Sequence, residues 1–454
     1  MINSMHRLMP GFSRVAFYAA VAALSGGALA ISLAFAAPAT PAADAVGKPS
    51  PAASGAPGAA SLPVSVVSGM PPVPDAKNLY SETTSDKMSK ATAGALERIY
   101  VPNRGENTVS VIDPATLKVI DKFKVGVHPQ HVVPSWALQM LWVAHNAEGR
   151  TDGSRTPVDP KTGKPGKSIP VDDPYNMYFS PDGQMAIVVA EAYKRLDFRD
   201  ARSMKMLYSI PTPKCPGINH ADFSIDGRFA LFTCEFGGAL TKIDLVNRKV
   251  VDTIQLSPYF NRPDALAAIA APGKKPTKIP DPGQPGADIC TTPGMPQDVR
   301  ASPDGKTFFI ADMMADGVHV VDLDSFKQIG FLPTGVGAHG LYPSRDGKNL
   351  YVANRGSNKI RGTPNGKGSI SVINFASRTV VKTWPIPGGG SPDMGNVSAD
   401  GKYLWLSGRY DDTVYRIDTE SGGVDKIKVG REPHGLTVWP QPGRYSLGHT
   451  GNLR

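Results

Sequence analysis

The chain has 454 residues, of which 41% are hydrophobic and 20% charged, the proportions of a globular protein with a real core. Lys and Arg total 49 against 40 Asp and Glu, a formal net charge of +9. That excess is spread along the chain without a Lys/Arg-rich run or a basic helix. The concentrated footprint of a nucleic-acid binder is therefore excluded, and no nucleic-acid partner is expected.

In chain order, Arg7 and Arg14 precede an uncharged stretch from Val15 to Ala36. A basic region, an apolar region and then small residues is the order of a secretory signal. Residues 1–36 are read as a signal peptide or, if uncut, a membrane anchor running from residue 15 to 36. Membrane contact is expected only through this segment, and the remainder is placed in the periplasm or outside the cell. From Ala37 to about Pro74 the chain is mostly Ala, Pro, Gly and Ser, which cannot bury enough apolar surface to offset its ordering entropy. Residues 37–96 are read as a disordered linker and lead-in.

From residue 97 to 443 a short apolar strand ending in a polar residue recurs. The copies end at Asn103, His145, Glu191, Glu235, Asp312, Asn354 and Gly408. Five follow a Ser-x-Asp-Gly turn, at Asp182-Gly183, Asp226-Gly227, Asp304-Gly305, Asp346-Gly347 and Asp400-Gly401. Asp-Gly is expected to supply the positive backbone dihedrals of a tight hairpin. A short strand precedes each turn, and two alternating strands follow each polar residue. Four antiparallel strands, A to D, at a spacing of roughly 42–45 residues make a propeller blade. The first B strand, at Ile99, lacks a turn before it, and the last A strand, at His434–Trp439, lacks a B strand after it. The predicted fold is all-β: a seven-bladed β-propeller whose C-terminal inner strand closes the first blade. Residues 444–454 form a tail.

Tyr351-Val352-Ala353-Asn354-Arg355-Gly356 and Tyr100-Val101-Pro102-Asn103-Arg104-Gly105 resemble the signature of YVTN-repeat propellers, and Glu432-Pro433-His434-Gly435-Leu436 resembles that family's inner strand. The resemblance extends to YncE-like periplasmic propellers and to the haem-domain propellers of cytochrome cd nitrite reductases. It implies a fold, and that fold hosts unrelated activities, so function must come from a site.

Strand direction puts D–A and B–C connections on one face. Insertions read at 148–171, 258–294 and 359–367 all fall there, and long loops are usually functional. The same face is expected to gather His131, Asn176, His220, Asp298, His339, Asp393 and His434 from inner strands. Asn103, His145, Glu191, Glu235, Asp312 and Asn354 are added from the ends of B strands. Neutral imidazoles beside carboxylates suit a transition metal; His131, His145, His220, His339 and His434 with Glu191, Glu235 and Asp312 are the candidate ligands, and haem is the weaker fit. Asn103, Arg104, Asn176, Asp298, Arg355, Asp393 and Arg409 are the candidate binders of a small polar ligand, guanidinium groups pairing with carboxylate or phosphate. The alternative for all of them is structural hydrogen bonding.

Three cysteines, Cys215, Cys234 and Cys290, leave one unpaired. A disulfide is expected to join Cys290 to either Cys215 or Cys234. These features give an exported binding or scaffold protein of the cell envelope, taking a small polar ligand, a metal or an envelope protein. The competing classes are a lactonase- or lyase-type enzyme and a haem- or quinone-linked redox accessory.

Overall fold

The computed structural model describes residues 64–258, 260 and 294–442. The leader, residues 37–63 of the linker, nearly all of the 258–294 insertion with Cys290, and the tail lie outside the described residues. Seven four-stranded antiparallel sheets form the seven blades. The inner strands, blades 2 to 7, are Pro129–Pro134, Pro174–Phe179, Ile218–Phe223, Pro296–Ala301, Ala338–Pro343 and Pro392–Val397. Blade 1 takes its inner strand, Thr437–Trp439, from the C-terminal end, where it pairs antiparallel with Arg98–Asn103. This closure protects the sheet edge that a linear array would leave open. Among the described residues, helix is confined to single 3-10 turns, and no helix is long and apolar enough to cross a membrane.

Burial falls from axis to rim. Every residue of the six full-length inner strands is buried, whereas the outer strand Thr379–Pro385 is exposed at all but one position. The A–B turns explain the Ser-x-Asp-Gly repeat. In the turn at Asp182, Ser180 Oγ donates to Asp182 Oδ1, which also accepts from the Gln184 amide at 3.1 Å. Only the glycine adopts positive φ, +71° at Gly183. The expected pair of positive dihedrals is thus corrected: the aspartate acts through its side chain, and glycine alone supplies the left-handed residue.

A belt of side-chain hydrogen bonds stitches every blade to the next around the channel. Thr437 Oγ1 donates to Val132 O (2.6 Å) and Arg155 Nη2 to Asn176 O (2.9 Å). Tyr178 Oη accepts from Ala221 N (2.8 Å), Asp222 from Ala301 N (2.8 Å) and Asp298 from Leu341 N (2.9 Å). Tyr342 Oη accepts from Gly395 N (2.9 Å) and Asn396 from Val438 N (2.8 Å). Each bond satisfies a buried backbone group that the four-stranded sheets leave unpaired.

Two expectations are corrected. Residues 148–171 are not one B–C insertion: Ser154–Val158 pairs with Leu141–His145 as strand C of blade 2, and Ile169–Pro170 forms a two-residue strand D. Pro157, Pro170 and the Lys/Gly-rich turn between them hid both strands. Residues 64–96 are not disordered linker but a strap packed across the tight-turn face. Val67 N donates to Asp226 O (3.0 Å), Leu79 N to Pro303 O (2.6 Å) and Leu96 N to Pro160 O (2.9 Å). Tyr80 is buried, donates to Ala301 O at 2.6 Å, and stacks on Phe375 with ring centroids 6.2 Å apart. The strap's few large residues, rather than its average composition, order it.

Candidate functional site

The mouth is built by a recurring irregularity. In blades 2 to 7 the A–B ladder shifts register after the first residue of the inner strand. The bulge places the second residue of each inner strand in a tier at the mouth: Gln130, Tyr175, Asn219, Gln297, His339 and Asp393, with His434 in the matching place of blade 1. The third residue falls in a tier below: His131, Asn176, His220 and Asp298. A one-residue step in a strand changes the environment of the side chain.

The same rule divides the B-strand ends. Asn103, His145, Asp312 and Asn354 are last residues of their strands, paired with the first residue of strand C. Their side chains turn into the blade. Asn103 Nδ2 donates to Thr108 and Ser110, Asn354 Nδ2 to Ser369 and Ser371, and His145 contacts Ser154 (3.0 Å) and Thr156 (3.3 Å). Asp312 lies 3.1 Å from His319 and accepts from Met295 N. Burial, then the charge of Arg155, drives His145 down to about 3, so it is a neutral packing group. Asn103, His145 and Asp312 are therefore removed from the candidate site. Glu191 and Glu235 stand one residue later, because Ala190 and Cys234 are the last ladder residues of their strands. They share the position of Arg104, Asn146, Arg355 and Arg409 in the other blades.

A cavity of about 550 Å³ opens here, with lining residues from all seven blades. Gln130 and Asn146 belong to blade 2, and Asp173, Tyr175 and Glu191 enclose it from blade 3. Glu235, Gln297, His339 with Arg355, Arg409 and His434 follow in turn from blades 4, 5, 6, 7 and 1. Of the predicted residues, His339, His434, Arg355, Arg409, Glu191 and Glu235 thus converge. Asp393 is fully buried and holds the two histidines and Arg355 together. His339 Nδ1 and His434 Nδ1 lie 2.9 and 2.8 Å from its two oxygens, and Arg355 Nη2 donates to it at 2.7 Å. The Arg355 guanidinium, with the two imidazoles beside it, holds the Asp393 carboxyl well below the usual range despite its burial. Arg355 also donates to His339 Nε2, which makes His339 an Nδ1–H tautomer; burial first and Arg355 second bring it down to about 4.

Arg104 pairs with Glu148 and Glu432, tying blade 1 to the blade 2 loop. His131 and His220 are buried beneath the cavity, ring centroids 5.1 Å apart, with His131 4.9 Å from His434 and 5.2 Å from Tyr175. Asn176 contacts Tyr178 and His220, and Asp298 lies 3.0 Å from Arg300 while capping two backbone amides. Asn176 and Asp298 serve the wall of the channel rather than a ligand. Among the described residues no group of three His, Cys, Asp or Glu is arranged to hold a metal ion. At the mouth, Arg355 and Asp393 lie against both nitrogens of His339 and Asp393 takes Nδ1 of His434, which leaves a metal His434 Nε2 alone of these four imidazole nitrogens. The expected metal site is not formed by these residues.

Cys215 and Cys234 are bonded to each other, which corrects the expected bridge to Cys290. Both are fully buried, and they join Pro216–Gly217 to Glu235–Phe236, two neighbouring parts of the cavity wall. Sequence reasoning missed Gln130, Tyr175, Asn219, Gln297, Asn146 and Asp173. A signal existed for the inner-strand residues: Pro129, Pro174, Pro296, Pro392 and Pro433 each mark the position immediately before the mouth tier.

Residues 287–442, spanning the last three blades and the closing strand, match the family model described as YNCE-like beta-propeller. No curated protein matches the sequence. Among solved structures, the chain is similar to dihydro-heme d1 dehydrogenase NirN in complex with DHE (TM-score 0.51, 15% identity, covering 76% of this chain and 75% of that one). It is similar to a functionally unknown protein from Desulfotomaculum acetoxidans (TM-score 0.53, 14% identity, covering 75% and 98%). A putative 6-phosphogluconolactonase from Bacteroides uniformis gives a TM-score of 0.52 at 15% identity, covering 75% and 98%. At such identities the likeness bears on the fold alone.

Proposed function

We propose that this chain is an exported cell-envelope propeller that binds a small polar ligand in the cavity on its looped face. The observation that carries this reading is the cavity itself. Its volume lies in the range of small-molecule sites, and its wall combines arginine, histidine, carboxylate and amide groups from all seven blades. The N-terminal basic-then-apolar order and the buried disulfide both suit an oxidising compartment outside the cytoplasm. A thermal-shift screen of purified protein against small polar metabolites tests the binding role. At least one compound should raise Tm, and that rise should vanish in Tyr175→Ala. A screen in which no compound shifts Tm would remove the reading.

A second reading, a lactone-hydrolysing enzyme, is favoured by the Asp393–His434 pair. Asp393 accepts the Nδ1–H of His434, leaving the Nε2 lone pair as an acceptor at the cavity. Burial and Arg409 keep that imidazole neutral, with a pKa well below its ordinary value. A carboxylate-oriented neutral imidazole is the arrangement that activates a water molecule. Hydrolysis of a panel of sugar lactones, abolished in His434→Ala, would establish this reading; no turnover by the wild-type protein would eliminate it.

A further inference from the structure

The three arginines of the mouth differ in how they are answered. Arg104 is met by Glu148 and Glu432, and Arg355 by Asp393, His339 and Tyr410. Among the described residues the guanidinium of Arg409 finds no hydrogen-bond partner, and its Nη1 is buried. Leaving a buried charged donor unmade is costly, so such a group at a cavity wall is poised for an anion. Next to it, His434 has its Nδ1–H committed to Asp393, so its Nε2 can only accept. Across the cavity stand Glu191, Glu235 and Asp173, acceptors again unless protonated. Tyr175 faces the same space, its hydroxyl kept protonated by burial and by Glu235 and Glu191. Of the three mouth arginines only Arg409 is thus left without a protein partner among the described residues, and it stands beside an acceptor, His434 Nε2, with carboxylates and side-chain amides on the facing wall.

We propose that the cavity ligand is a small polyhydroxy organic acid, its carboxylate held by Arg409 and its hydroxyls donating to His434 Nε2 and to the acidic wall. This assignment rests on the binding role proposed above. An unsubstituted fatty acid would satisfy Arg409 but offer no donor to His434 Nε2, and a neutral polyol would do the reverse.

The test uses the mature protein and three probes of similar length: gluconate, hexanoate and sorbitol, titrated by calorimetry. Gluconate is expected to bind, with hexanoate and sorbitol each weaker by about tenfold or more, the worth of a charge-assisted hydrogen bond or of several neutral ones. Arg409→Gln should weaken gluconate by about tenfold or more while its circular dichroism spectrum and Tm match wild type. Hexanoate or sorbitol binding as well as gluconate would overturn the proposal, as would unchanged gluconate affinity in Arg409→Gln. If gluconate fails but a cationic or neutral compound from the thermal-shift screen binds through Tyr175, the ligand class is wrong and the binding role survives. If neither gluconate nor any screened compound binds, both fall.

Discussion

Two levels of the same inner strands sit one to three residues apart, and their side chains do opposite work. In the upper tier, Gln130, Tyr175, Gln297, His339 and His434 present polar atoms to a cavity. In the belt below, Tyr178, Asp222, Asp298, Tyr342 and Asn396 use theirs on the backbone of the next blade. Residue type does not separate them, since both tiers contain carboxylates, tyrosines and amides. Register does, because a residue next to the bulge meets solvent space and a residue past it meets another strand. A polar residue on a propeller's inner strand is therefore a ligand candidate only once its place relative to the bulge is known.

The largest test of this division is Asp298→Ala. It removes a buried carboxylate that accepts two backbone amides and lies 3.0 Å from Arg300. It should cost about 3–5 kcal/mol in urea denaturation. Replacing Cys215 and Cys234 together by Ser comes next, at about 3 kcal/mol for a loop of this size; the sequence separation is 19 residues. Because the bridge also ties two parts of the cavity wall, ligand binding should weaken in that variant at temperatures well below its Tm.

Asp173 sharpens the comparison through pH. Burial pushes its carboxyl up to about 7, against about 3.9 in an unfolded chain. The folded protein thus holds this proton over a window where the unfolded chain has lost it. Stability from this group is present at low pH and is lost as pH rises from about 4 to about 7. Asp173→Asn, compared with wild type by denaturation at pH 4 and pH 8, should gain relative stability at the higher pH. The smallest effects belong to a matched pair of hydroxyl deletions. Tyr342→Phe should cost about 1 kcal/mol by orphaning the Gly395 amide. Tyr175→Phe should fall within about 0.5 kcal/mol of wild type. Equal losses in the two would erase the distinction between tiers.

The ring was legible because its determinants are local and repeated: an apolar B strand, a Ser-x-Asp-Gly turn, and a count of seven that leaves one A strand for the first blade. The site was legible only in part. Scattered histidines could be assigned to one mouth by strand direction, and His339 and His434 do line it. Register was not legible, since Ala190-Glu191 and Cys234-Glu235 read in sequence like Pro102-Asn103 yet are offset by one in the ladder. Blade 2 lost its C and D strands to prolines tolerated near a sheet rim. The strap escaped detection because its order comes from sites on blades 2, 4, 5 and 6, which no local window contains.

That strap alters where the folding unit begins. Its Tyr80 fills a socket against Phe375, and its Thr83 carbonyl receives Arg345, which also reaches Gln441 near the opposite end of the chain. A recombinant fragment started at the first repeat, near residue 97, would strip this underside and bare apolar surface on several blades. Cloning from residue 64 keeps the two ends of the polypeptide knitted together, and any truncation series should treat the lead-in as an eighth, unsheeted element of the disc.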